Sequence, residues 1–153
     1  MSRLESIKYY SEKFKKMNCA FVHGRKILAK PFLVLAIIDI INDGVCKENI
    51  FDWEAGCFND LNEAFENQYY RFQPNNYRTP IYKPFFHLSN DGFWHLSFID
   101  GESHRTIKSS KTLRDLQAKA HLDEALWDLL QDATVREEFR TQIINFFVNK
   151  KTD

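Results

Sequence analysis

One stretch, IYKPFFHLSNDGFWHL at residues 81–96, decides which fold the sequence predicts. Two aromatic, largely apolar segments flank Asn90-Asp91-Gly92, a sequence typical of a tight turn in which glycine supplies a positive φ. The pattern predicts a β-hairpin with a three-residue loop, because this register sorts the side chains into two distinct faces. The buried face would hold Phe86, Leu88, Trp94, Leu96 and Phe98, and the exposed face Phe85, His87, Ser89, Phe93, His95 and Ser97. Exposed phenylalanine and histidine are unusual in a purely structural hairpin, so we expect function on that face.

Helical signals dominate the N-terminal half of the chain. Ser2 and Glu5 have the spacing of a capping box. The face of this first helix would consist of Leu4, Ile7, Ser11 and Phe14. Pro31 suits a helix start, and the residues from Phe32 to Asp43 are apolar almost all round before Gly44. Such a pattern predicts the buried central helix of the fold.

The remaining periodic segments predict further helices joined by loops. Segments 18–29 and 73–80 are predicted loops. A further amphipathic helix would bury Phe58, Leu61, Phe65 and Tyr69. Three short helices are expected near the C-terminus, one starting at Thr112, one over Leu122–Gln131 and one capped by Thr134. The last would bury Val135, Phe139, Ile143, Phe146 and Phe147.

Length and composition indicate the class of protein. A chain of 153 residues with 44% hydrophobic and 15% aromatic content can build a core, which excludes a disordered protein. We expect one domain over residues 1–153, of mostly helical α+β class with a small antiparallel sheet. No apolar run approaches the roughly 20 residues of a membrane helix. The three cysteines lack a CxxC spacing and no signal-peptide pattern is present, so we expect reduced thiols in a cytoplasmic protein.

The formal net charge of zero conceals separated blocks of charge. Between residues 3 and 30 there are eight basic and two acidic side chains, whereas residues 39–66 carry eight acids and one lysine. Separated charge can form a basic face on a neutral protein, and such a face suits phosphate binding. The alternative is that these segments are ordinary solvated faces.

The sequence contains no recognisable active site, and it predicts neither a cofactor nor a catalytic residue. The histidines lack the context of an HNH nuclease site, and no glycine-rich phosphate loop is present. Two histidines opposite each other in the hairpin, His87 and His95, would be a poor metal site without further ligands, so no metal is expected.

Three segments spread over residues 24–148 carry a family resemblance. The first is Lys-Pro at residues 30–31 followed by a leucine-rich helix, and the second is Pro-Phe-x-x-Leu and Asp-Gly-x-Trp-x-Leu within residues 84–96. The third is Leu-Trp-Asp-Leu-Leu at 126–130, followed by Arg136 and Ile-Asn-Phe-Phe at 144–147. In order and spacing they resemble the N-terminal DNA-recognition region of bacterial HNH-type restriction endonucleases. That group includes the sulfur-binding domains that recognise phosphorothioated DNA.

Cations and a helix N-terminus together predict a phosphate site. A helix that begins at Pro31 after basic residues offers backbone N–H groups and positive charge to an anion. The predicted DNA- or phosphate-binding residues are Arg25, Lys26, Lys30, Lys83, His87, Arg105 and Lys108.

An apolar surface beside these cations would suit a non-bridging sulfur, which is larger and more weakly hydrated than oxygen. The candidates for a sulfur-binding cage are Pro31, Tyr82, Pro84 and Phe85. The alternative is that Pro84 and Phe85 only start a strand and pack locally. The chain also departs from the family, which commonly has histidine where Ala29 stands, tyrosine where Lys83 stands and a small residue where His87 stands.

Two functions from different classes are consistent with the sequence. The first is a DNA-recognition module of a restriction or defence system that binds double-stranded DNA, with phosphorothioated DNA as a candidate ligand. An HNH nuclease would then lie in a longer parent protein or in a partner. The second is a protein-interaction or regulatory module that kept the scaffold without DNA affinity. The sequence pI of about 7.0 favours the second, whereas the basic residues around Lys30 favour the first.

Overall fold

A computed structural model describes residues 1–149, which form a mostly helical α+β structure, as predicted. The helices are α1 (Arg3–Lys15), α2 (Ala29–Asn42), α3 (Phe58–Phe72), α4 (Tyr82–His87), α5 (Ser110–Asp115), α6 (Glu124–Leu130) and α7 (Ala133–Ile143). The strands are β1 (Phe21–Val22), β2 (Arg25–Lys26), β3 (Phe51–Asp52), β4 (Trp94–Ser97) and β5 (Lys119–Leu122). None of the helices within residues 1–149 is long and apolar enough to cross a membrane.

Helix α2 is the centre of the core, as its apolar sequence predicts. Every residue from Ala29 to Ile41 is buried except Asp39, and the helix packs against α3, α4 and α7. Half-buried Asp39 forms an ion pair with Arg140 and accepts a hydrogen bond of 2.8 Å from Gln68. The helix begins at Ala29, two residues before the predicted start at Pro31. Proline is tolerated in the first turn because backbone N–H groups there have no partner within the helix, so the missing N–H of proline costs no hydrogen bond.

The prediction of a hairpin over residues 81–96 is wrong for the first half of this segment. That half forms helix α4 and a 3₁₀ turn over Leu88–Asp91 instead of a strand. Helical spacing therefore buries Phe85, which was assigned to the exposed face. Gly92 has the predicted positive φ, at 91°, and ends the 3₁₀ turn. Phe86, Leu88 and Trp94 are buried as expected, but Phe93 is buried as well and Leu96 only partly so.

Only β4 of the predicted hairpin is a strand, and it pairs with β5 rather than with residues 81–88. The antiparallel sheet has the order β3-β5-β4, with Trp94 opposite Leu122 and His95 opposite His121. The indole N–H of Trp94 donates to the backbone carbonyl of Phe85 over 2.8 Å, which joins this sheet to α4.

The other helix predictions succeed in part. The Ser2–Glu5 capping box is present, although Leu4 on the predicted face of α1 is 79% exposed. Helix α3 buries the predicted face, and segment 73–80 is a loop. The helix predicted to start at Thr112 is α5, which starts at Ser110 and already ends at Asp115. The N-cap of α7 is Asp132 rather than the predicted Thr134. The helix predicted over Leu122–Gln131 is shorter, because β5 and α6 divide this segment.

The segment predicted as a loop over residues 18–29 contains a small hairpin. Strands β1 and β2 pair antiparallel, with Phe21 opposite Lys26 and Val22 opposite Arg25. The chain passes from β2 directly into α2, so this hairpin lies beside the N-terminus of the buried central helix.

Candidate functional site

An open cleft of about 980 Å³ lies between the β1–β2 hairpin, the N-terminus of α2, loop 73–80 and α4. Its lining includes six basic or imidazole side chains, namely His23, Arg25, Lys26, Lys30, Lys83 and His87. No aspartate or glutamate is part of the lining. The chain as a whole has 21 basic and 21 acidic residues, so the cleft concentrates one sign of charge. An anion is the ligand that this distribution favours.

Helix α4 presents one face to the cleft and the other to the core. Pro84 and His87 are three residues apart and lie on the same side of the helix, where both line the cleft together with Lys83. The rings of Phe85 and Trp53 are 5.1 Å apart in the core. In the predicted hairpin, Pro84 and His87 would lie on opposite faces of a strand, whereas in the helix they lie on the same side.

Only one of the four predicted sulfur-cage residues, Pro84, lines the cleft. Phe85 is fully buried, which contradicts a role in direct ligand contact. Pro31 is buried within α2, and Tyr82 is half-buried against the core. Ala29, which the sequence marked only as a departure from the family, does line the cleft.

Lys30 is not a free cation, because a carboxylate matches its charge. Its Nζ lies 2.6 Å from Oδ2 of Asp91, and the two side chains are only 10% and 6% exposed. The other oxygen, Oδ1, accepts the backbone N–H of Asn18 over 2.9 Å. Asp91 therefore ties the 3₁₀ turn to α2 and to the segment after α1.

Two further predicted cations line the cleft and are exposed. The Arg25 guanidinium donates to Oδ1 of Asn76 over 2.9 Å, and Lys26 Nζ lies 5.8 Å from the ring centre of Phe21 and 5.5 Å from that of Phe147. Neither contact neutralises the charge. Both cations therefore remain available to a phosphate.

Helix α2 begins at the cleft, and no side chain caps its N-terminus. Its N-cap Leu28 and its first residues Ala29 and Lys30 line the cleft, no side chain caps the helix, and its first turn has no acidic residue. The first N–H groups of a helix lack partners within the helix, and they favour negative charge. This arrangement supports the predicted role of the helix start, displaced by two residues.

Burial lowers the pKa of His87 below its ordinary value of 6.5, and the charges of Lys30 and Lys83 lower it further. The imidazole is therefore mostly neutral at neutral pH in the protein without a ligand. A phosphate beside this ring would favour the protonated form, because an opposite charge stabilises the imidazolium.

The structure also brings to the cleft a segment that the sequence analysis treated only as a loop. Gln73, Asn76, Tyr77 and Thr79 all belong to the lining, and Tyr77 is 78% exposed. Beside them the Arg78 guanidinium carbon lies 3.7 Å from the ring centre of Tyr70. A tyrosine next to an arginine in a polar loop was the available signal, since aromatic and cationic residues together are typical of nucleic-acid surfaces.

Two predicted phosphate-binding residues lie elsewhere. Arg105 and Lys108 are exposed in the segment between β4 and α5, and neither lines the cleft. His95 is also separate from the cleft lining, since its Nε2 lies 2.5 Å from Oδ1 of Asp123 and its ring lies beside His121. Among residues 1–149, no group of three His, Cys, Asp or Glu side chains could hold a metal ion.

Comparison with known proteins assigns the family. The model of the ScoMcrA-like DNA sulfur-binding domain matches residues 11–152. The chain belongs to this family. No curated protein is significantly similar to it in sequence.

Solved structures from the same group share the fold. The sulfur-binding domain of SprMcrA in complex with phosphorothioated DNA matches with a TM-score of 0.72 and 15% identity, over 100% of this chain and 91% of that one. The corresponding ScoMcrA domain with phosphorothioated DNA matches with a TM-score of 0.70 and 14% identity, over 92% and 87%. The type IV phosphorothioation-dependent restriction endonuclease ScoMcrA matches with a TM-score of 0.64 and 14% identity, over 90% of this chain and 24% of the endonuclease.

Proposed function

We propose that the cleft binds double-stranded DNA at a phosphorothioate linkage. The observation that carries this proposal is the lining itself, with six basic or imidazole side chains and no acid in a chain of zero net charge. Membership of the DNA sulfur-binding domain family supports it, as do the two structural neighbours that are complexes with phosphorothioated DNA.

Apolar and cationic groups would both contribute to binding the linkage. Pro84 and Ala29 are largely buried, and the apolar surface that they retain in the cleft wall would contact the sulfur. The exposed Lys83 and the uncapped start of α2 would offer positive charge to the remaining oxygens. Sulfur is more weakly hydrated than oxygen, so its desolvation in such a site costs less. We expect a preference for phosphorothioate of roughly ten-fold or more, equivalent to about 1–3 kcal/mol.

The Lys30–Asp91 ion pair lowers the electrostatic attraction of the cleft for phosphate and phosphorothioate alike, because both linkages carry one negative charge. A lysine whose charge is already matched attracts an ordinary phosphate less than a free lysine would. Net attraction then comes from Lys83, Arg25 and Lys26, with apolar contact adding discrimination. Arg25 and Lys26 would bind flanking phosphates, because both are exposed at the edge of the cleft.

The proposed role is recognition without catalysis. The chain would act as one domain over residues 1–153, in the cytoplasm, where the free thiols of Cys19, Cys46 and Cys57 stay reduced. Cleavage would belong to an HNH nuclease domain in a longer parent protein or in a partner. The purified chain should leave phosphorothioated DNA uncut in the presence of Mg²⁺ or Mn²⁺, and metal-dependent cleavage would contradict this part of the proposal.

Fluorescence anisotropy with two duplexes of one sequence tests DNA binding and sulfur recognition together. One duplex carries a single phosphorothioate of defined stereochemistry and the other only phosphate. Wild type should bind the first more tightly, and the affinity should fall steeply with salt as counterions are released from the DNA. Lys83→Ala should weaken binding to both duplexes and reduce the salt slope by about one.

Lys8→Ala is the matched control, because Lys8 is an exposed lysine on α1 that does not line the cleft. This variant should bind like wild type. Equal affinity for the two duplexes would remove sulfur recognition and leave general DNA binding. No association with any duplex at low salt would favour the protein-interaction module instead.

A further inference from the structure

Two of the three cysteines lie in contact at the end of the α2–α3 pair that is remote from the cleft. The Sγ atoms of Cys46 and Cys57 are 3.6 Å apart. Cys46 follows the C-terminus of α2, where its backbone N–H donates to the carbonyl of Ile40 over 3.3 Å, and Cys57 is the N-cap of α3. The opposite ends of the two helices, at Ala29 and Gln73, line the cleft. A helix of 14 residues is about 21 Å long, so the thiol pair is a separate feature of the molecule.

The two thiols differ in their access to solvent and in their ionisation. Cys46 is buried, whereas Cys57 is half-buried. The hydrogen bond between the thiols lowers the pKa of Cys57, because the Cys46 S–H stabilises the thiolate, and the same contact raises the pKa of Cys46. The carboxylates of Asp52 and Asp60 oppose the shift at Cys57 without cancelling it. Cys57 is therefore the more reactive and more accessible nucleophile of the pair.

The local backbone leaves room for the sulfurs to come together. A disulfide bond is about 2.05 Å long, so the sulfurs would have to approach each other by about 1.5 Å. Both cysteines lie outside the helices and strands. Gly44 precedes Cys46 by two positions, and Gly56 directly precedes Cys57. Glycine changes its dihedral angles at low steric cost, and a Cβ added at Gly44 would meet no atom within 4 Å.

We propose that Cys46 and Cys57 are a peroxide-reactive thiol pair that closes to an intramolecular disulfide bond. The Cys57 thiolate attacks one oxygen of hydrogen peroxide, the O–O bond breaks, and Cys57 becomes a sulfenic acid. The hydroxide that leaves takes up the proton released by the Cys57 thiol and becomes water. The Cys46 sulfur then displaces the hydroxyl group of the sulfenic acid, which leaves with the Cys46 proton as a second water. The two thiols lose two electrons in total, and the peroxide gains them.

The cross-link would stabilise the frame that carries the cleft. It would join residues 11 positions apart and reduce the conformational freedom of the unfolded chain. The bond would form whether or not the cleft binds DNA, because the thiols lie at the opposite ends of α2 and α3. Cellular thiols would reopen it by exchange, so the cross-link would persist only while peroxide is present.

Peptide mapping of peroxide-treated, native full-length protein tests the inference. Remaining thiols are blocked with iodoacetamide, and the protein is digested with trypsin without a reductant. Lys47 lies between the two cysteines, so cleavage after it places them in separate peptides. The expected product is these two peptides joined, with the combined mass less two hydrogen atoms, and dithiothreitol should separate them. The oxidised protein should unfold at a temperature higher than the reduced protein by about 5 °C or more.

Single variants separate the two steps. Cys46→Ala should leave Cys57 as a sulfenic acid that dimedone traps, and peroxide should no longer raise the unfolding temperature. Cys19→Ala is the matched control and should form the cross-link like wild type, because Cys19 is not part of the contact.

Three results would overturn the inference. The first is recovery of Cys46 and Cys57 in separate, fully alkylated peptides after peroxide treatment. The second is oxidation of Cys57 to the sulfinic acid in wild type without a cross-link to Cys46. The third is a cross-linked protein that unfolds at the same temperature as the reduced protein or below it, which would reject the stabilising role of the bond.

Discussion

Lys30 and Asp91 form a nearly buried ion pair at the cleft, with Nζ 2.6 Å from Oδ2 and side chains that are 10% and 6% exposed. The pair joins residues that are 61 positions apart. Removing one partner leaves an unmatched charge in a site with little access to water, which is far more costly than loss of an exposed pair. Loss of either partner would therefore destabilise the fold, and the ion pair also reduces the charge that the cleft presents to a ligand.

Asp91→Ala should lower the free energy of unfolding by about 3–5 kcal/mol, because it leaves Lys30 without its partner. Chemical denaturation monitored by tryptophan fluorescence measures the change. The control is Asp115→Ala, which breaks an exposed helix pair with Lys111 and should change stability by about 0.5 kcal/mol or less. The double variant Lys30→Met/Asp91→Ala should recover part of the loss, and a loss equal to that of the single variant would show that the unmatched charge is not its cause.

Leu35→Ala should destabilise the protein by about 2–5 kcal/mol, since Leu35 is fully buried in α2 and its removal leaves a cavity. The same substitution at Leu4, which is 79% exposed, should change the free energy of unfolding by no more than about 0.5 kcal/mol. Thermal and denaturant unfolding of the two variants provide the comparison. Similar midpoints for both would contradict a central role for α2.

The sequence was sufficient to predict the elements whose signal is local. Helix α2 was predicted because an all-round apolar segment must be buried, and the positive φ of Gly92 followed from its place in a turn sequence. Helix α4 was missed because its aromatic residues favour strands. In and beside this helix, the apolar residues at positions 81, 84, 85 and 88 nevertheless have the helical spacing i, i+3, i+4 and i+7. All four are buried, and Phe86 is buried as well.

The candidate site was only partly predictable, because it depends on contacts distant in sequence. The structure brings Arg25, Lys26, Lys30, Lys83 and His87 together at one cleft, and their role in phosphate binding stays a prediction. The pairing of Lys30 with Asp91 and the approach of loop 73–80 depend on how α3 and α4 pack on α2. Strand β5 was not predicted, and its last residue, Leu122, was placed at the start of the helix predicted over Leu122–Gln131. Pairing with β4 gives residues 119–122 an extended conformation.

Variants of Arg105 and Lys108 would test how far a bound duplex extends beyond the cleft. Both are exposed outside the cleft, and their predicted role in phosphate binding stays a prediction. Arg105→Ala should reduce affinity by less than Lys83→Ala does, because it removes one peripheral phosphate contact at most. Anisotropy titrations at several salt concentrations give the slope for each variant. A loss as large as that of Lys83→Ala would place the duplex across segment 101–109.

Cys57 should be the first cysteine to react with iodoacetamide. Its Sγ lies 3.6 Å from that of Cys46, and the hydrogen bond between the thiols lowers the pKa of Cys57 while it raises that of Cys46. Burial raises the pKa of Cys19, so this thiol is also less reactive. Peptide mapping after brief alkylation of native protein measures the order. Faster labelling of Cys19 than of Cys57 would contradict it, and Cys46→Ala should slow the reaction of Cys57 by removing the stabilising hydrogen bond.

DNA binding should strengthen as the pH falls, because a phosphate beside His87 favours its protonated form. The pKa of His87 is low in the free protein, chiefly through burial, and the bound phosphate should raise it. The complex then holds more protons than the free protein between these two pKa values. Affinity should therefore rise as the pH is lowered through this window, by at most about ten-fold per unit of pKa difference.

Anisotropy titrations from about pH 8 to about pH 5.5 measure this dependence around the ordinary histidine range. His87→Ala should flatten the profile, and His23→Ala measures the contribution of the other histidine in the cleft. His121→Ala, outside the cleft, should keep the wild-type profile. A flat profile in wild type would show that the His87 ring does not contact the anion. In that case, a stronger preference for phosphorothioate in His87→Ala would show that the ring occupies space that the sulfur could use.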